Sequence, residues 1–239
     1  MIEHGLFLLA AYVAAIFGTL AGFGSSTVLI PVAMFFMDLK TAIFFVACFH
    51  LFNNLFKVKL FFTTIDFKIF WQFGIPSIIF AFLGARFITI LPVALLAQIL
   101  AVFLILFSCI TFFKPHIKIK QNSFNALLGG GLSGLLAGLI GMGGAVRSVF
   151  LIAFNLPKEI YVATGALIAF VIDLTRIPTY LWTGVVSDNA YYALLPILVI
   201  IAYLGVKTGK SLLGKIDQEL FRKIVLGALF FVGIRMLFA

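Results

Sequence analysis

Four residue groups in this chain could carry chemistry. Asp173, Arg176 and Tyr180 stand at i, i+3 and i+7 inside an apolar run, so a helix there presents all three on one face. Arg147 follows a glycine-rich stretch, Gly141-Met142-Gly143-Gly144-Ala145-Val146-Arg147-Ser148, and has no acid adjacent in sequence. His50, Asn53 and Lys57 repeat the i, i+3, i+7 spacing in another apolar run, with Asn54 one step around. Ser25, Ser26 and Thr27 follow a second glycine pair, Gly22-Phe23-Gly24.

These types in these places point to recognition of a small anion. A glycine break lets a helix stop and restart, and the restart aims unpaired N–H groups and a partial positive charge into the gap. Gly24, Gly143 and Gly144 are the glycines of such restarts, Arg147 and Arg176 add full positive charge, and Asn53, Asn54 and Tyr180 add neutral donors. The same residues also fit quieter roles. Asp173 and Arg176 can close on each other and pin helices, Arg147 can pair with Asp173, and Lys57 can snorkel to the surface. The carboxamides can bond helix to helix, and Ser25, Ser26 and Thr27 can cap N–H groups. His50 titrates near neutral pH and, with Asp173, is the candidate for a coupled proton; a packing histidine is the alternative.

The elements that must hold these groups are membrane helices. Hydrophobic residues make up 64% of the 239 and charged residues 10%, against roughly a quarter charged in soluble domains. Apolar runs near 5–21, 41–62, 69–90, 92–113, 124–140, 159–183, 190–210 and 219–238 are long enough to span or nearly span a bilayer. The segments near 28–37 and from 147 to Leu156 are half that length. The first run has no basic region before it and no cleavage site after it, so it is expected to stay as a helix. Cys48 and Cys109 both fall in apolar runs and frame neither a disulfide nor a metal site.

Two halves follow one plan: residues 1–113, a basic linker over 114–123, and residues 124–239, each half with a run, a glycine break, a short segment and three longer runs. Gly84-Ala85-Arg86 is echoed by Gly205-Val206-Lys207 and Leu39-Lys40 by Pro157-Lys158. Lys57, Lys59 and Lys68 lie after the third segment of the first half, where the second half has Asp188 and Asn189; Lys207, Lys210 and Lys215 lie after its fourth, where the first half has Arg86. Five segments per half, an odd number, place these clusters and the linker together in the cytoplasm with both termini outside, Lys40 and Arg86 excepted. The expected fold is an all-α polytopic membrane protein built of two inverted repeats of about five segments, each with a short helix after a Gly-rich turn.

No HExxH, metal-ligand cluster or phosphate loop of the Gly-x4-Gly-Lys-Ser/Thr type occurs, so no cofactor is expected and ATP-driven transport by this chain is disfavoured. The formal charge of +9 reads as topology rather than as a nucleic-acid surface. An intramembrane enzyme using Asp173 and His50 lacks a second carboxylate at comparable depth.

The two breaks, the short segments after them, the stretch from Gly141 through Asn155-Leu156-Pro157-Lys158-Glu159, and Asp173-Leu174-Thr175-Arg176 together resemble the TauE/SafE sulfite exporter family over nearly the full length. Members often carry three glycines followed by proline; here the repeats read Gly24-Ser25-Ser26 with Pro31, and Gly143-Gly144-Ala145 with no proline until Pro157. The resemblance implies a permease of the bacterial cytoplasmic membrane that exports or exchanges sulfite, thiosulfate or organosulfonates. Alternating access around a midplane site is the expected mechanism, a passive anion channel the alternative, and both proton coupling and a homo-oligomer are compatible with it.

Overall fold

Inside a bilayer every backbone N–H and C=O needs a partner within the protein, and this apolar chain meets that requirement with helices; no strand occurs among the described residues. The computed structural model describes residues 2–20, 24–114, 119–154, 156–185, 191–212 and 218–238. Gly22 and Phe23 of the first break, residues 115–118 of the linker, Asn155, Asp188, Asn189 and Lys215 lie outside them.

The first half comprises α1 (Ile2–Leu20), α2 (Ser25–Ala33), α3 (Leu39–Phe61), α4 (Phe67–Ile90) and α5 (Val93–Phe113). The second comprises α6 (Ser123–Ile140), α7 (Gly143–Ala153), α8 (Lys158–Trp182), α9 (Leu195–Leu212) and α10 (Gln218–Phe238). Local chemistry sets several ends. The Asp38 carboxylate accepts from the Lys40 and Thr41 N–H groups to start α3, and Asn122 accepts from Asn125 N–H to start α6. Gly141, at φ 74°, closes α6 in the left-handed conformation that favours glycine. Within α4 a π turn over Phe70–Gly74 precedes Pro76, whose missing N–H interrupts the regular ladder. Six of these helices, α3, α4, α5, α6, α8 and α9, are long and apolar enough to cross a membrane, so this is a multi-pass membrane protein.

The short helices fold back on their predecessors. Gly18 lies against the backbone of Gly24 and Ser25, and the Phe7 and Phe36 rings are 6.1 Å apart, so α2 retraces α1. In the second half Gly143 abuts Ser133 and Ala137, and Phe150 reaches Gly129, so α7 retraces α6. Each hairpin returns the chain toward the side it entered, and three longer helices follow in each half, all but α10 among the six above. Helix ends meet in pairs: Arg86 stacks 5.0 Å over Trp182 and Arg235 over Phe35 at one end of the bundle, while Lys210 stacks over Phe61 at the other.

Helix α1 packs on α9 and α6 on α4; α3 packs on α8, α5 on α10, and α2 touches α7. Exchanging each helix for the one five places along returns the same set of pairs. The α4–α6 seam is the tightest, because Gly130, Gly134 and Gly138 bring the α6 backbone onto that of α4 at Phe73, Ser77 and Ala81. Gly134→Val puts a branched side chain against the Ser77 backbone, which has no room to yield. The expected cost is about 2–3 kcal/mol or more, read as a lower melting temperature of the purified protein in detergent.

Candidate functional site

At the centre of α3 and α8 lies a buried polar chain. The Asp173 carboxylate is 0% exposed and Arg176 1%. Asp173 Oδ1 accepts from Arg176 Nε and pairs with Nη2, each at 2.8 Å, while Oδ2 lies 2.8 Å from His50 Nδ1. The third guanidinium nitrogen, Nη1, donates to the Ala137 carbonyl at 2.7 Å, and Tyr180 Oη donates to the Gly138 carbonyl at 2.5 Å. These carbonyls belong to the last turn of α6; that of Ala137 also accepts from the Gly141 N–H at 3.1 Å, and both lie where the regular helical ladder runs out. A cation there also complements the helix dipole. The Arg176–Tyr180 face of α8 thus holds the end of α6 in place just before the glycine break.

Beside this chain the two breaks meet. Gly24 begins α2 at φ 85°, ψ 143°, with no side-chain cap, and the Ser25 and Ser26 hydroxyls, both buried, make no hydrogen bond. The sequence expectation that these serines cap the helix is not what is found. A methyl group on Gly24 would stand 3.6 Å from Gly144 Cα and 3.4 Å from His50 Nε2. Helix starts from both halves therefore adjoin at Gly24 and Gly144, and Gly24 also lies beside His50 Nε2, which is buried and without a partner. Gly24→Ala would force an L residue into a conformation glycine alone adopts readily. The expected cost is about 1–3 kcal/mol of local strain, checked as a fall in anion affinity larger than the fall in melting temperature.

On the linker side of His50 lies a small cavity of about 30 Å³ for the centres of water-sized groups, lined among others by Gly18, Gly24, Asn54, Lys57, Arg147 and Tyr161. Room for one water takes roughly 10–15 Å³ by this measure, so the space suits a compact group rather than an extended one. Arg147 is 6% exposed and Lys57 4%. Among the described residues neither has a carboxylate within ion-pair distance, and Lys57 Nζ donates to the Gly18 carbonyl at 3.1 Å. Ser148 Oγ donates to the Gly144 carbonyl at 2.7 Å and Tyr161 Oη to Ser148 Oγ at 3.1 Å, which ties the second break to α8. Arg147 and Lys57 thus share one cavity with no carboxylate in reach among the described residues, a setting in which burial penalises an uncompensated positive charge.

Toward the opposite end of α3 from Lys57 the chain packs aromatic rings. Phe44, Phe45, Tyr191 and Tyr192 pack edge to face with centroids 5.3–6.0 Å apart, and Tyr191 Oη donates to the Phe36 carbonyl at 2.7 Å.

The structure separates residues the sequence treats alike. Arg147 stands at the cavity, whereas the donors of Arg176 and the hydroxyl of Tyr180 are engaged with Asp173 and α6. Lys57, read as snorkelling to the surface, is buried at the cavity instead. Asn54 lines the cavity while its Nδ2 donates to the His50 carbonyl at 2.8 Å. Asn53 is fully buried with both amide atoms unbonded, and Thr27 is buried in the first turn of α2. Tyr161 was not anticipated, and nothing in a single sequence distinguishes it from the other tyrosines. The family model described as sulfite exporter TauE/SafE matches residues 7–236. No curated protein and no solved structure matches the chain.

Proposed function

The chain belongs to the sulfite exporter TauE/SafE family, a family of membrane transporters rather than enzymes, and from that membership we propose that it is a secondary transporter of small sulfur oxyanions such as sulfite or thiosulfate. The observation that carries this reading is the cavity in which Arg147 and Lys57 sit buried without an acid. An oxyanion entering there trades its water shell for the guanidinium, the ammonium, the Asn54 and Tyr161 side chains and the restart of α2 at Gly24. Gly143 and Gly144 bring the second restart to the same place, with Ser25, Ser26, Thr27 and Asn53 as further neutral donors. Arg176 and Tyr180 contribute by holding the break.

The mechanism proposed is alternating access of two inverted repeats. Aromatic packing closes the face of the termini, and the cavity lies toward the basic linker face, which the excess of lysine makes the cytoplasmic one. The localisation that follows is the bacterial cytoplasmic membrane with both termini outside, and His50 and Asp173 are the groups for proton coupling. The filled aromatic side favours this over a passive channel.

Purified protein in proteoliposomes tests the reading. Uptake of labelled sulfite should saturate and should be driven uphill when vesicles are preloaded with unlabelled thiosulfate. Uptake that never exceeds equilibrium would make the protein a channel, and absence of flux for sulfite, thiosulfate and a small sulfonate would remove the substrate class.

A further inference from the structure

We infer that His50 binds the transported proton at Nε2, that the protonated ring then donates Nε2–H to the anion where the two glycine breaks meet, and that proton and anion load the site together and cross in the same direction. This rests on the reading of the site as an anion carrier and adds its coupling stoichiometry.

The geometry begins with the tautomer. Asp173 Oδ1 is paired with two nitrogens of Arg176, which holds the carboxylate ionised, and an ionised carboxylate can only accept. The short contact between Oδ2 and His50 Nδ1 therefore places a proton on Nδ1. Asn54 Nδ2 lies 3.0 Å from the same Nδ1 and directs one of its two hydrogens to the His50 carbonyl at 2.8 Å. In the neutral ring Nε2 is left with a lone pair, and that atom is buried, unpartnered and beside Gly24, which itself adjoins Gly144.

A lone pair there repels an oxyanion; an N–H there attracts one. This junction also offers donors: the N–H groups opening α2 and α7, and the unbonded hydroxyls of Ser25 and Ser26. The charged groups around the ring are Asp173 and Arg176 on α8 and Arg147 on α7, with Lys57 two turns along α3 itself. Asp173 and Arg176 cancel each other, so a proton on His50 adds uncompensated positive charge beside Arg147. An arriving anion offsets that charge, and by reciprocity each binding event favours the other to the same extent. The proton comes from the solution to which the site is open and leaves with the anion on the far side, which restores the neutral Nδ1–H ring. Nothing is oxidised or reduced.

The test is thiosulfate binding to the purified full chain in nanodiscs by calorimetry, because this anion stays fully ionised across the range in which histidine titrates, about pH 5 to 8. Repeating the titration in buffers of different ionisation heat counts protons taken up. The expected result is uptake approaching about one proton per anion, with affinity rising up to about tenfold per unit fall in pH where the ring is neutral. His50→Gln should bind more weakly, with no proton uptake and no pH dependence. Wild-type binding and counterflow without proton uptake would overturn this inference alone, and so would uptake that persists in His50→Gln. If that variant does not fold, the wild-type proton count decides. Failure of both binding and counterflow would instead overturn the anion-carrier reading and this inference with it.

Discussion

Arg147→Ala should reduce sulfite counterflow by about 100-fold, the effect of losing one or two charge-assisted hydrogen bonds worth roughly 1.5–3 kcal/mol each, while the purified protein remains folded. The second half of that expectation is the discriminating one. A buried arginine that held the fold together would have a carboxylate partner, and its removal would strand that partner. Arg147 is buried and, among the described residues, has no carboxylate within ion-pair distance. Removing it discards a desolvated charge and leaves no orphan, so the melting temperature should hold or rise. Lys57→Met should behave in the same way, with a milder loss because its ammonium already has the Gly18 carbonyl as acceptor. Arg147→Lys should recover part of the flux, since it restores the charge but not the planar fork of donors. A collapse in thermal stability without a specific loss of flux would make Arg147 structural.

Asp173→Ala should give the opposite pattern, a loss of folded protein of about 3–5 kcal/mol. The carboxylate joins α8 to α3 through His50 and neutralises Arg176, which in turn bonds the end of α6. Without Asp173 the guanidinium stays buried at 1% exposure with no counter-charge. The double variant Asp173→Ala with Arg176→Met should recover much of the stability, because it removes the stranded charge along with its partner. Melting curves of the four proteins in detergent, followed by tryptophan fluorescence, give the coupling directly. Additive single effects would mean that the pair contributes no more than two unrelated polar residues.

The contrast between the two arginines marks how far sequence reasoning reaches. Asp173 and Arg176 are three residues apart on one helix, and helical geometry alone brings their side chains within reach. Their alternative roles, closed pair or binding site, were legible for that reason. Arg147 has no local partner, and whether a distant one approaches depends on which helices pack beside α7. The cavity at Arg147 is assembled from α1, α3, α7 and α8, and its residues run from Gly18 to Ala166. Lys57 shows the same limit: spacing places it on the face of His50, but its burial depends on a carbonyl of α1, 39 positions away.

The amino-acid sequence by itself determined the solvent, the element type and the breakpoints. Sustained apolar runs require a bilayer and helices, Gly24 and Gly141 sit where helices stop and restart, and lysine placement separates one face from the other. These properties are set within one or two helical turns, or by composition. Only the tertiary structure decided that α2 and α7 double back, that the start of α2 lies against both Gly144 and His50 Nε2, and that Arg147 and Lys57 share a cavity which Arg176 does not line. Those outcomes follow from a close turn-back at Gly18 and from backbone contacts at Gly134 and Gly138 between segments far apart in the chain. The physical reason is that a buried charge takes its role from whatever it faces across the packed helices, which its neighbours in sequence do not specify.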